Sequence, residues 1–106
     1  MNLTRYEQYE IERLKLDKFL ERRKRAFHRL AKTVLRTFGG AYREAAKLVG
    51  AASLYGSEYT KELIDWLREN GVDTSDEQGL RRIFMDLWGP YVISDYLTTS
   101  KRRRNL

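Results

Sequence analysis

The sequence has no cysteine, one proline and one histidine, and each shortage closes off a kind of chemistry. Without thiols there are no disulfides, no thiolate-held zinc and no cysteine nucleophile. The single histidine, His28, lies among Lys24, Arg25 and Arg29, with no carboxylate three or four residues away to complete an acid–base pair. It reads as a surface or boundary residue. Asp73, Asp76 and Glu77 miss the spacing of a calcium loop, and no phosphate-loop pattern is present. The expectation is a protein that is not an enzyme and carries no metal or cofactor. Long apolar runs are also missing. Nothing approaches the roughly 18 residues needed to span a bilayer, and Met1-Asn2-Leu3-Thr4-Arg5 lacks the apolar core of a signal peptide. An intracellular protein is expected, cytoplasmic or associated with a nucleoid or virion, neither secreted nor bound to membranes.

What is present suits one domain. The 106 residues are 42% hydrophobic and 12% aromatic, enough for a modest core. Scarce proline and the absence of strand-like alternation predict an all-α fold: a long N-terminal helix, a compact bundle of three to four short helices, and a flexible basic C-terminal tail. The domain is expected over 1–98, with the long helix at about 5–38, the bundle at about 41–97 and the tail at 99–106. Thr4 and Glu7 have capping-box spacing, and no glycine or proline follows until Gly39-Gly40, which predicts a single helix or two nearly collinear ones. Tyr6, Tyr9, Leu16, Leu20, Phe27, Leu30 and Val34 form its apolar seam. Arg13 and Arg23 interrupt that seam, which argues against an extended coiled coil.

A second helix over 41–55 is built on Ala45, Ala46, Leu48, Val49 and Ala52. A third follows Gly56-Ser57 and stops at Asn70-Gly71. A fourth opens at Thr74 with Glu77, and Gly89-Pro90 ends it; a short fifth runs to Leu97. The predicted core joins Leu63, Leu67, Ile83, Phe84, Leu87 and Trp88 to Val34, Leu35, Phe38, Leu48 and Val49.

Charge is distributed unevenly. Residues 1–43 hold twelve Lys/Arg against five Asp/Glu, 44–100 hold five against ten, and 101–106 hold four cations. The chain is basic at both ends and acidic in the middle. The ends therefore bind an external polyanion, or pair with the acidic segment of the same or a neighbouring molecule. From Arg22 to Arg43 there is no acidic residue. Lys15, Lys18, Arg22, Arg25, Arg29, Lys32 and Arg36 follow one another at steps of three and four, which on a helix makes one cationic stripe. The stripe is offset from the apolar seam by two positions, about 200°, and so faces away from the core. Such a row neutralises phosphates and releases counterions. Lys101, Arg102, Arg103 and Arg104 supply a second, auxiliary cationic element.

Two short stretches resemble nucleic-acid-binding modules. Arg43-Glu44-Ala45-Ala46-Lys47-Leu48-Val49-Gly50 resembles the first helix and turn of a helix-turn-helix, although 51–58 is long for the tight turn that motif needs. Leu63, Leu67, Gly71-Val72, Ser75, Leu80 and Ile83 are similar to a helix–extended loop–helix module of the SAP kind, with acidic Asp73, Asp76 and Glu77 where a phosphate would sit. Each covers about a quarter of the chain, and neither assigns it to a family. Trp66, Trp88 and the tyrosines have helical spacing that suits the core first; Tyr55, Tyr59, Tyr91 and Tyr96 suit a boundary, as base-stacking or protein-contact residues.

The sequence thus points to a small basic protein that binds DNA or RNA mainly through the phosphate backbone, in a regulatory, packaging or ribonucleoprotein role. The alternative is a protein-interaction module, a subunit of an assembly or a small inhibitor, docking on an acidic partner surface or on a second copy.

Overall fold

Thr4 opens the first helix as its spacing predicts. Its hydroxyl accepts from the Glu7 N–H at 3.1 Å, and its own N–H donates to the Glu7 carboxylate at 3.0 Å. The computed structural model describes residues 3–104, with the side chains of 102–104 outside that description. Its helices are α1 (Arg5–Arg13), α2 (Leu16–Phe38), α3 (Tyr42–Tyr55), α4 (Thr60–Glu69) and α5 (Glu77–Arg81). A π-helical segment (Arg82–Trp88) follows and runs straight into α6 (Gly89–Arg104). No strand is present among the described residues.

The long N-terminal helix expected over 5–38 is divided. Lys15 takes a left-handed conformation (φ 53°, ψ 34°), unusual for a residue with a side chain. Leu14 and Leu16 on either side of it are fully buried, and their burial holds the break in place. The carbonyl of Leu14, outside the helical ladder, accepts from the Trp66 indole at 3.0 Å. A second departure falls at Arg23 (φ −125°, ψ 25°), where α2 kinks. The arginines that interrupt the seam therefore mark the end of α1 and the kink of α2. Tyr6 and Tyr9, expected in the seam, are 66% and 61% exposed; Ile11, Leu14 and Phe19 fill the core instead.

Gly39, at φ 56°, ends α2 as expected. Helix α3 then runs through the middle of the molecule, packing on α2, the π segment and α6. It continues unbroken past Gly50 to Tyr55, so the turn of a helix-turn-helix is not formed. Gly50 instead permits close packing, because a Cβ there would run into the Phe84 carbonyl; Gly89 likewise sits against the Ala46 carbonyl.

Gly89-Pro90 does not end a helix. Proline lacks an N–H and crowds the carbonyl four residues earlier, and the π segment absorbs this mismatch. The Gly89 N–H bonds five residues back, to Phe84, before the proline enters. Residues 99–104, expected to be a flexible tail, continue α6, which Val92 and Ile93 anchor in the core. Lysine and arginine are good helix formers and suit the negative end of the helix dipole. At α5 the cap is Asp76, accepting from the Gly79 N–H at 3.1 Å, in place of the expected Thr74.

Trp88 is the centre of the core. It meets Phe19 and Phe27 edge-on at 5.9 and 5.1 Å, and its indole N–H donates at 3.1 Å to Ser53, a fully buried hydroxyl that in turn donates to the Val49 carbonyl. Of the predicted core, Leu48 and Phe38 are 42% and 37% exposed. The face of α3 turned inward is the small-residue face of Ala45, Ala46, Val49 and Gly50, which leaves Leu48 outside.

Candidate nucleic-acid interface

All seven cations of the stripe are exposed. The break at Lys15 and the kink at Arg23 nevertheless divide the stripe into parts with different surroundings. Lys15 lies outside the helices. Lys18 borders a small depression shared with Asp17, Glu21 and Asp95, an acidic setting. Arg22 lies 3.8 Å from Glu62 and rests on Trp66 at 5.4 Å. Arg25, Arg29, Lys32 and Arg36 form no ion pair with any other described residue, although Glu21 lines one depression with Arg25 and Glu58 another with Arg29, and they compose a cationic ridge on α2 beyond its kink.

The neighbouring cations are neutralised internally. Arg23 binds Glu62 of α4 at 2.9 Å and lies over the Tyr59 ring at 4.8 Å. Lys24 is 3.7 Å from Asp95 of α6. The acidic middle of the chain thus takes up part of the basic N-terminal segment within one molecule. Arg82 and Glu10 make a comparable pair across the fold: Glu10 is buried, accepts two bonds from Arg82 at 3.3 Å and one from the Tyr6 hydroxyl, and raises the Arg82 pKa.

His28 has the partner that sequence spacing could not supply. Its Nε2 lies 2.6 Å from Asp95 Oδ2, and its ring meets Tyr96 edge-on at 5.5 Å. The pair links α2 to α6 across 67 positions. No local signal in the chain marks it, since the two helices meet only through the tertiary fold.

An open depression of about 1030 Å³ surrounds this part of α2. Arg22, Arg25, Arg29 and Lys32 line it from α2 together with the acidic Glu21, Tyr59 from the start of α4, and Tyr96, Thr99 and Ser100 from α6. Tyr59 is engaged already, beneath Arg23 and against Phe27, and the Glu58 carboxylate raises its phenol by hydrogen bonding and by its charge. A second depression of about 360 Å³ continues from the first: Lys32 and Tyr96 border both, and Arg36 and Tyr42 line the second.

The end of α6 reaches the same place. Thr99 and Ser100 line the groove, and the exposed Lys101 follows on the same helix. The side chains of Arg102, Arg103 and Arg104 lie outside the described residues. Among the described residues, no three His, Asp or Glu side chains gather as a metal site, and no helix is long and apolar enough to cross a membrane. No family model, curated protein or solved structure matches the chain.

Proposed function

We propose that this protein binds nucleic acid through its phosphate backbone, without catalysis, in a regulatory, packaging or ribonucleoprotein role inside the cell. The observation that carries the reading is the division of charge on α2. Glu62 and Asp95 occupy Arg22, Arg23, Lys24 and His28, while Arg25, Arg29, Lys32 and Arg36 have no carboxylate partner among the described residues. A row of cations left without an ion pair on a fold that pairs its neighbours suits an external polyanion. His28–Asp95 acts here as the tie between α2 and α6 that forms one wall of the groove.

The test is a binding titration with duplex DNA, single strands and RNA at several salt concentrations. Affinity falls with salt and depends weakly on sequence. The substitutions Arg25→Glu, Arg29→Glu and Lys32→Glu made together weaken binding to every sequence while the helical circular dichroism is retained. Unchanged affinity in that variant rules out the ridge as the binding surface.

A protein-interaction role is the second reading, favoured by the exposure of Phe38 and Leu48. A stable oligomer by light scattering, with no nucleic-acid binding at about 50 mM salt, selects it over the first.

A further inference from the structure

The ridge is accompanied by tyrosines, and their placement discriminates between kinds of nucleic acid. Tyr42, at the start of α3, is 48% exposed and lines the second depression together with Lys32, Arg36 and Tyr96. Tyr96, partly buried against the core, borders both depressions, and among the described aromatic groups it is in contact with only the edge-on His28 ring. Tyr59, in contrast, is already covered by Arg23. From Arg25 to Arg36 the helix rises about 16 Å, and along this length cations and aromatic rings share one continuous track.

We propose that the ligand is a single-stranded nucleic acid, its phosphates on Arg25, Arg29, Lys32 and Arg36 and its unpaired bases on Tyr96 and Tyr42. This rests on the reading of the ridge as a phosphate-binding surface. Here Tyr96, Thr99 and Ser100 of α6 and Tyr59 line the same depression as Arg25, Arg29 and Lys32. Paired bases stack on one another and have no use for rings beside the phosphates. An unpaired strand can use both, because every base has a face that stacks on an aromatic ring while a basic groove tracks its backbone.

The experiment compares three probes by fluorescence anisotropy and competition at matched salt: a labelled oligothymidylate, a duplex of the same length and long inorganic polyphosphate. The oligothymidylate binds more tightly than the duplex. Tyr42→Leu and Tyr96→Leu each weaken oligothymidylate binding on the order of five- to a hundredfold and leave polyphosphate binding unchanged. Tyr42 is exposed and its replacement does not disturb the core, so that variant stands as the test if Tyr96→Leu fails to fold. A duplex bound as tightly as the single strand, or a Tyr42→Leu variant with unchanged single-strand affinity, overturns the inference. In that outcome, polyphosphate and duplex binding that still depends on Arg25, Arg29 and Lys32 leaves the phosphate reading standing. Failure to bind any of the three probes at low salt overturns both.

Discussion

The indole N–H of Trp66 donates to the main-chain carbonyl of Leu14 at 3.0 Å, fifty-two positions away in sequence. The bond couples α4 to the break between α1 and α2. It gives a partner to a carbonyl that a continuous helix would have satisfied internally, and so helps make the left-handed Lys15 tolerable. Trp66 also meets Phe19 edge-on at 5.6 Å and lies beneath Arg22.

Trp66→Phe keeps an aromatic ring and removes the donor. The expected cost is about 1–3 kcal/mol, the usual range when a buried acceptor loses its partner. Urea unfolding of the variant measures it. A midpoint equal to wild type would mean that the Leu14 carbonyl is satisfied otherwise and that the break does not depend on α4.

Gly89→Ala and Gly50→Ala are expected to destabilise. Each new methyl meets main-chain atoms of the facing helix, the Ala46 carbonyl for Gly89 and the Phe84 carbonyl for Gly50, and neither can swing aside as a side chain would. Overpacking of this kind costs about 1–3 kcal/mol and outweighs the roughly 1 kcal/mol that alanine gains over glycine inside a helix. Gly56→Ala is the control, since its Cβ would make only an ordinary 3.5 Å contact with the Ala52 carbonyl. Thermal melts in which all three variants match wild type would contradict the close crossing of α3 with the π segment and α6.

Tyr91 sets a limit at alkaline pH. Burial, followed by the charges of Asp95, Asp17 and Glu21, pushes its phenol up to about 12 from an ordinary 10.0. Between those values the unfolded chain has released the proton and the folded chain still holds it. The contribution is fully present below 10 and is lost as pH rises towards 12. Tyr91→Phe removes this ionisation, so the variant loses less stability than wild type over the same interval. Parallel declines of the two proteins in urea titrations would show that Tyr91 does not ionise differently on unfolding.

Much of the local architecture was legible because its causes are local. Thr4 and Glu7 start α1, Gly39 ends α2 and the 70–76 connection separates α4 from α5, each through contacts within a few residues. The exposure of the cationic stripe followed from helical periodicity in the same way. Prediction failed where a distant group decided the matter. Gly89-Pro90 carries the local signature of a helix end, yet packing against α3 and a shift to i−5 hydrogen bonding carry the helix through it. Tyr6 and Tyr9 fit an apolar seam by spacing, but ahead of the left-handed break at Lys15 it is Ile11 and Leu14 that turn inward.

The sequence by itself determined an all-helical chain and where its positive charge is concentrated, because helical period, capping and net charge are properties of neighbours along the chain. Only the tertiary structure decided which of those charges remain without an ion pair. Glu62 and Asp95 reach α2 from α4 and α6 to bind Arg23, Lys24 and His28, and α6 carries Tyr96, Thr99 and Ser100 to the groove beside Arg25, Arg29 and Lys32. Ion pairs act over a few ångströms in space, so a carboxylate thirty or more positions away can neutralise a cation while leaving the next turn of the same helix exposed.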